Sequence, residues 1–322
     1  MSGAPPAPSR FQILSLSGGG IRGLFTARVL ERLEERFARP LHEAFDLLAG
    51  TSVGGIIALG LAAGRPAREL RGLIEDRGPE IFRRRTSGWL RPKYGSEGLR
   101  AAIEDVLGAE AVMGDLRRPA VVPAVALTTG RAQVFRTPHH PAHLGMRGLR
   151  LVDVALATAA APTYFPIARV GDGDYVDGGL IANAPDLVAL HEAEAFFRAP
   201  RRDVVVLAVG TSFASAAVMA RQPAQRGVIG WMWGKRFLEI TLAAQQALAQ
   251  QLCRDALGER YLLLDHPQAP RHARGLGLDG VGPEALATLR QMAEGTVEDA
   301  RADPRLGLIG GHTGRPLDAW RI

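Results

Sequence analysis

Two stretches near the start of the chain decide the reading: Phe11-Gln-Ile-Leu-Ser-Leu-Ser-Gly18-Gly19-Gly20-Ile-Arg22-Gly23, and Phe45-Asp-Leu-Leu-Ala-Gly50-Thr-Ser52-Val-Gly54-Gly55. In each, a short apolar run meets a glycine-rich turn and then a helical pattern. Residues 11–16 read as a buried strand. From about Arg22 to Arg39, Phe25, Val29, Leu33 and Phe37 recur every fourth position, one face of a helix, and Pro40 stops it. After Ser52 comes an Ile/Leu/Ala helix to about Ala63. Strand–loop–helix, twice in 65 residues, predicts an α/β protein with a largely parallel sheet.

Further along, residues 80–98 read as irregular and basic, with Arg83, Arg84, Arg85, Arg91 and Lys93 around Trp89 and Tyr94. Leu99–Leu107 reads as a helix ending at Gly108. Val121–Leu127 and Ala132–Phe135 read as a hairpin, and Val152–Ala161 as a small-residue helix stopped by Pro162. Tyr175-Val176-Asp177-Gly178-Gly179 ends a strand in a tight turn. Asp203–Gly210 and Tyr261–Leu264 read as strands, Phe237–Leu257 and Pro283 to about Ala302 as helices. Neither an internal repeat nor a Ser/Gly-rich linker is visible. Residues 1–10 are expected to be a disordered tail, and residues 11–322 a single domain with a C-terminal helical extension.

The composition bounds the function. The chain has 322 residues, 47% hydrophobic and 22% charged, as in globular proteins, and carries a net charge of +6. The basic balance invites a nucleic-acid reading. Against it, only Lys93 and Lys235 are lysines among 39 basic residues. Arginine abundance alongside Ala, Gly and Pro points to GC-rich codons, and the charge is dispersed with Arg and Glu alternating along helices. Nucleic-acid polymer is therefore not expected as a partner, while weak attraction to anionic lipid is. Cys253 is the lone cysteine, which excludes an intrachain disulfide and fits a reducing compartment. The start lacks an apolar signal region. Apolar runs such as Ile56–Ala63 are far short of the ~20 residues that span a bilayer. The expected location is the cytoplasm, with peripheral contact to the inner face of the membrane.

Gly50-Thr51-Ser52-Val53-Gly54 fits G-x-S-x-G between strand and helix, where a sharp turn would project the serine oxygen. Gly18–Gly23 fits G-x-G-x-x-G in the same setting. It can cradle a phosphate at a helix N-terminus, or present backbone N–H groups to the oxyanion of a tetrahedral intermediate. A dinucleotide site wants an acidic residue at the tip of the second strand; here that strand ends in the Ser52 turn, which favours acyl transfer. A serine nucleophile needs a base. His139, His140, His143, His191, His266, His272 and His312 follow Ser52, and none has a distinctive context. Asp177, at a strand end before two glycines, is the other candidate.

Taken together and in order, Gly18–Gly23, Gly50–Gly54 and Asp177-Gly178-Gly179 resemble the motifs of the patatin-like phospholipase family. Ala157–Pro166 (ATAAAPTYFP) and Asp177–Pro185 (DGGLIANAP) extend the resemblance, which covers roughly residues 11–215. It implies a three-layer fold with a mixed central sheet flanked by helices. It also implies a Ser52–Asp177 dyad, an oxyanion hole from the N–H groups of Gly19, Gly20 and Arg22, and no cofactor. No metal is expected either, since the paired histidines have no carboxylate motif nearby in sequence. Many relatives carry Asp where this chain has Ser17, outside the dyad. Lys93-Tyr94-Gly95, Val134–His140 and Val209–Ser212 resemble the bacterial antiphage (CBASS) patatin-like effectors. That implies a membrane phospholipid substrate and a cyclic dinucleotide activator, with Arg83–Arg85, Arg131 and Arg136 as candidate phosphate contacts. Trp231-Met232-Trp233 reads as a lid, a bilayer contact or a core or homo-oligomer contact. The rival from another class is a non-hydrolytic nucleotide-binding protein using Gly18–Gly23.

Overall fold

In the computed structural model, residues 10–85, 91–212, 236–268 and 275–320 are described. The tail before Arg10, Trp89, Trp231-Met232-Trp233 and His272 lie outside them. The described strands form one sheet: β1 (Phe11–Leu16), β2 (Leu47–Gly50), β3 (Ala120–Ala126), β4 (Arg131–Arg136), β5 (Ala168–Val170), β6 (Gly173–Asp177), β7 (Val204–Val209) and β8 (Tyr261–Leu264). Their order is β5-β6-β3-β2-β1-β7-β8, with β4 paired to β3. β1 lies parallel between β2 and β7, and β7 is parallel to β8. β3 is parallel to β2 but antiparallel to β4 and β6. The sheet is therefore mixed, with the predicted parallel core and the predicted β3–β4 hairpin.

The helices are α1 (Gly23–Phe37), α2 (Val53–Ala62), α3 (Ala67–Ile81), α4 (Glu97–Leu107), α5 (Leu151–Ala159), α6 (Gly179–Ala182), α7 (Asp186–Ala195), α8 (Arg236–Leu257), α9 (Pro283–Asp299) and α10 (Pro304–Gly311). They cover both faces of the sheet, which explains why its central strands are apolar throughout rather than alternating. Phe11 and Ile13 of β1, with Leu47, Ala49, Val204 and Val206, pack under α7 and α8. Leu14 and Leu16, with Leu48, Val122, Leu207 and Val209, pack under α1–α5 and α9. Gln12 is buried among them, and its amide donates to the carbonyls of Ala44 and Ile309 at 2.6 and 3.0 Å.

The elements not legible beforehand include α3, α7, α10 and the three-residue β5. The last predicted helix is α9, which stops at Asp299, and Pro304 does not continue it. Asp303 instead caps a new helix, its side chain accepting from Arg305 N at 2.9 Å. The dispersed Arg/Glu pattern has its physical counterpart on α1, where Arg28 and Arg32 both pair with Glu294 of α9.

Candidate active site

Ser52 lies between the end of β2 and the first residue of α2, at φ 56° and ψ −128°. A non-glycine residue with positive φ is strained by about 1–3 kcal/mol, so the surroundings must hold it. They do so directly. The Ser52 N–H donates to Thr158 Oγ1 at 3.0 Å, and that hydroxyl donates to Pro123 O at 2.7 Å. The flanking glycine is required by close approach: a methyl at Gly54 would collide with the carbonyl oxygens of Leu16 and Ser17. The G-x-S-x-G spacing thus reflects a turn pressed against the end of β1.

Asp177 is the last residue of β6 and is buried. Its N–H donates to Ala160 O at 3.0 Å, and the next N–H, of Gly178, to Thr158 O at 3.3 Å. The end of α5 therefore holds both Ser52 and the Asp177 turn, which explains the polar Thr158 within an otherwise alanine-rich segment. The Asp177 carboxylate accepts a hydrogen bond from Gly179 N at 2.6 Å, and the Ser52 side chain is near enough to favour its ionised form. Burial pushes its pKa up from 3.8 to about 6, the Gly179 hydrogen bond and the nearby Ser52 hydroxyl acting in the opposite direction.

The glycine loop closes the third side. Gly18 N donates to Asn183 O at 2.9 Å and Ile21 N to Leu278 O at 2.9 Å. Between them, the N–H groups of Gly19 and Gly20 have no acceptor among the described residues, and both residues line the same cleft as Ser52 and Asp177. Gly20 has φ +58°, the left-handed region open to glycine. Arg22 differs from expectation. Its N–H is turned to Gly19 O at 3.2 Å, its Nε donates to the same carbonyl at 3.3 Å, and it does not line the cleft. Burial lowers its guanidinium pKa to about 10, with Glu239 and Asp265 as nearby counter-charges.

The cleft has a volume of about 80 Å³ and is partly open to solvent. Its walls are apolar: Ile56 of α2, Leu73 and Ile74 of α3, Phe165, and Leu238 and Leu242 of α8. Such a lining suits an acyl chain better than a polyanion. Asn183 marks its polar end and is bound by Gln245 and Gln246 of α8. Sequence reasoning missed these glutamines, which look like ordinary solvated positions of a long helix.

No histidine among the described residues lines this cleft. His139 and His143 are buried elsewhere, where His139 Nε2 meets Glu192 Oε1 at 3.0 Å and His143 Nδ1 lies 3.8 Å from the same oxygen. Burial holds both imidazoles below their ordinary pKa. Folding thus supplies the pair with a carboxylate that sequence proximity did not reveal, and the three ligand-type atoms lie within 4.8 Å of one another. Arg136 already neutralises it, donating to both Glu192 oxygens at 3.0 and 2.8 Å. Arg136 is therefore an internal ion-pair partner rather than an exposed phosphate contact. His312 is hydrogen-bonded to Asp46.

Comparison with known proteins gives the family. Residues 14–190 match the family model described as Patatin-like phospholipase. The chain belongs to the patatin-like phospholipase family. A protein of Pseudomonas aeruginosa named cGAMP-activated phospholipase is 41% identical over 313 residues, spanning 94% of this chain and 92% of that protein. Proteins of the same name from Escherichia coli and Vibrio cholerae are 37% and 36% identical, covering 87% and 92% of this chain and 86% and 94% of theirs. Among solved structures, VipD from Legionella pneumophila matches with a TM-score of 0.43 at 13% identity, over 88% of this chain and 67% of VipD. The patatin-like α/β fold expected from the motifs, and the resemblance to the bacterial effectors, are both met. Among the described residues no helix is long and apolar enough to cross a membrane.

Proposed function

We propose that this chain hydrolyses the acyl esters of membrane phospholipids through a Ser52–Asp177 dyad, and that a cyclic dinucleotide switches it on. The observation that carries the reading is that Ser52, on its strained turn, and the buried Asp177 carboxylate, whose pKa burial raises, line one apolar cleft together. Ser52 Oγ attacks the ester carbonyl and its proton passes to Asp177. The oxyanion is met by the N–H groups of Gly19 and Gly20. Loss of one such donor typically costs about 2.7–4 kcal/mol of transition-state stabilisation. The tetrahedral adduct collapses, and Asp177 returns the proton to the departing alcohol. Water then attacks the acyl-enzyme with Asp177 again as base, releasing fatty acid and restoring Ser52. A carboxyl with a pKa near 6 is a better base at neutral pH than an ordinary aspartate while remaining mostly ionised.

The dinucleotide trigger is supported by the names of relatives that share 36–41% identity over most of this chain. In this reading the protein acts in antiphage defence at the cytoplasmic face of the membrane, touching it peripherally, with assembly into homo-oligomers as one means of control. The decisive assay is fatty-acid release from vesicles of bacterial lipid, with and without a panel of cyclic dinucleotides. Release that needs Ser52 and rises with one dinucleotide supports the proposal. Tight dinucleotide binding with no release under any condition favours the non-hydrolytic alternative.

A further inference from the structure

We infer that Gln246 of α8 and Thr211, just after β7, are positioning residues that aim the Gly19 N–H into the cleft. The inference rests on the hydrolase reading above and adds a part of the machinery outside the matched region, residues 14–190. Gly18 and Gly19 share one planar peptide unit. The carbonyl of Gly18 and the N–H of Gly19 belong to the same peptide and point in opposite directions. Whatever fixes Gly18 O therefore fixes the direction of Gly19 N–H.

Two side chains hold that oxygen. Thr211 Oγ1 donates to it at 3.0 Å, and Asn183 Nδ2 at 3.3 Å. Asn183 Nδ2 also donates to Gln246 Oε1 at 2.7 Å. With its amide nitrogen on Gln246, Asn183 cannot rotate to present its oxygen to Gly18 O, where two acceptors would repel. Next to it, Gln245 accepts from Asn183 N at 3.1 Å and donates to Gly179 O. Adjacent residues of α8 thus grip both the Asn183 backbone and its side chain, and through Gly179 the turn that carries Asp177. Thr211, Asn183 and Gln246 are each at most 4% exposed, so water cannot replace a lost partner cheaply. A change in the position of α8 would reach both the oxyanion donor and the carboxylate turn.

The test uses full-length untagged protein with cGAMP present, a soluble short-chain ester as substrate, and a fluorophosphonate label as a second readout. Gln246→Leu and Thr211→Val remove the polar contacts at nearly constant volume. Each is expected to lower kcat roughly 10- to 100-fold, part of the effect of losing a whole oxyanion donor, with KM within about twofold and labelling slowed in parallel. Gln246→Glu and Thr211→Ser keep the acceptor and the hydroxyl and are expected to recover most of the loss. Leu248→Ala, on the exposed side of the same helix, controls for general damage to α8. Unchanged kcat in folded Gln246→Leu and Thr211→Val would overturn the inference while leaving the hydrolase intact. So would an effect confined to KM or to thermal stability, or polar variants as impaired as the apolar ones. Wild-type protein that neither turns over ester nor takes the label would overturn the hydrolase reading, and this inference with it.

Discussion

Replacing Asp177 by Asn should abolish hydrolysis and stabilise the protein at the same time. The carboxylate is buried, and burial has raised its pKa from 3.8 to about 6. At about 1.4 kcal/mol for each tenfold change in proton affinity, the ionised group destabilises the folded state by about 3 kcal/mol relative to an aspartate of ordinary pKa. The sign follows from linkage. A carboxyl whose folded pKa is raised carries no penalty below about pH 4, where it is protonated in both states. The penalty grows as pH rises and is complete above about pH 6. Asn is neutral at every pH, and its side-chain oxygen can still accept from Gly179 N, the 2.6 Å bond that Asp177 makes. Thermal unfolding between pH 4 and 8 should therefore show the Asp177→Asn variant gaining on wild type as pH rises. The gain should level off near pH 7 at roughly 3–6 °C, taking about 1–2 °C per kcal/mol for a chain somewhat longer than the proteins that set the usual scale. A variant equal to or less stable than wild type across that range would refute the claim that the site holds an ionised carboxylate against its burial. Full ester hydrolysis by the same variant would refute the dyad.

For wild type, kcat/KM against a soluble ester should climb from pH 5 to 7 with a midpoint near 6, because the base must be ionised; a profile flat through this range would remove Asp177 from that role. Gly54→Ala should leave little soluble, active protein, since its methyl meets the carbonyls of Leu16 and Ser17; circular dichroism and labelling of the soluble fraction would show it, and a wild-type result would mean the turn is not tightly held. Glu192→Gln should destabilise by about 3–5 kcal/mol, because Arg136 and His139 lose a buried partner, yet kcat per folded molecule should be unchanged; a direct loss of kcat would implicate this cluster in the chemistry.

Much of this architecture could be read from local pattern, and the exceptions have identifiable causes. β1, β2 and α1 declare themselves because strand, glycine turn and amphipathic helix follow one another within a few residues, and β3–β4 because a hairpin is a local object. Ser52 and Asp177 carry their signal in tight turns whose glycines are demanded by sterics. By contrast, nothing near His139 in sequence announces Glu192, 53 positions away. The roles of Thr158, Asn183 and Gln246 depend on hydrogen bonds spanning 106, 165 and 63 positions, so a single sequence shows them only as polar residues in apolar company. Arg22 illustrates a related limit. Its motif position predicts a backbone donor, but the short helical turn over Gly20–Arg22 directs that N–H back to Gly19 O.

The central claim, that Ser52 forms a covalent acyl intermediate with Asp177 as its base, is tested most directly by mass spectrometry of the intact protein after a fluorophosphonate, with and without cGAMP. One adduct on wild type, mapped to Ser52, absent from Ser52→Ala and strongly slowed in Asp177→Asn, is the predicted result. An adduct on another residue, or labelling that proceeds equally fast without the Asp177 carboxylate, would contradict it.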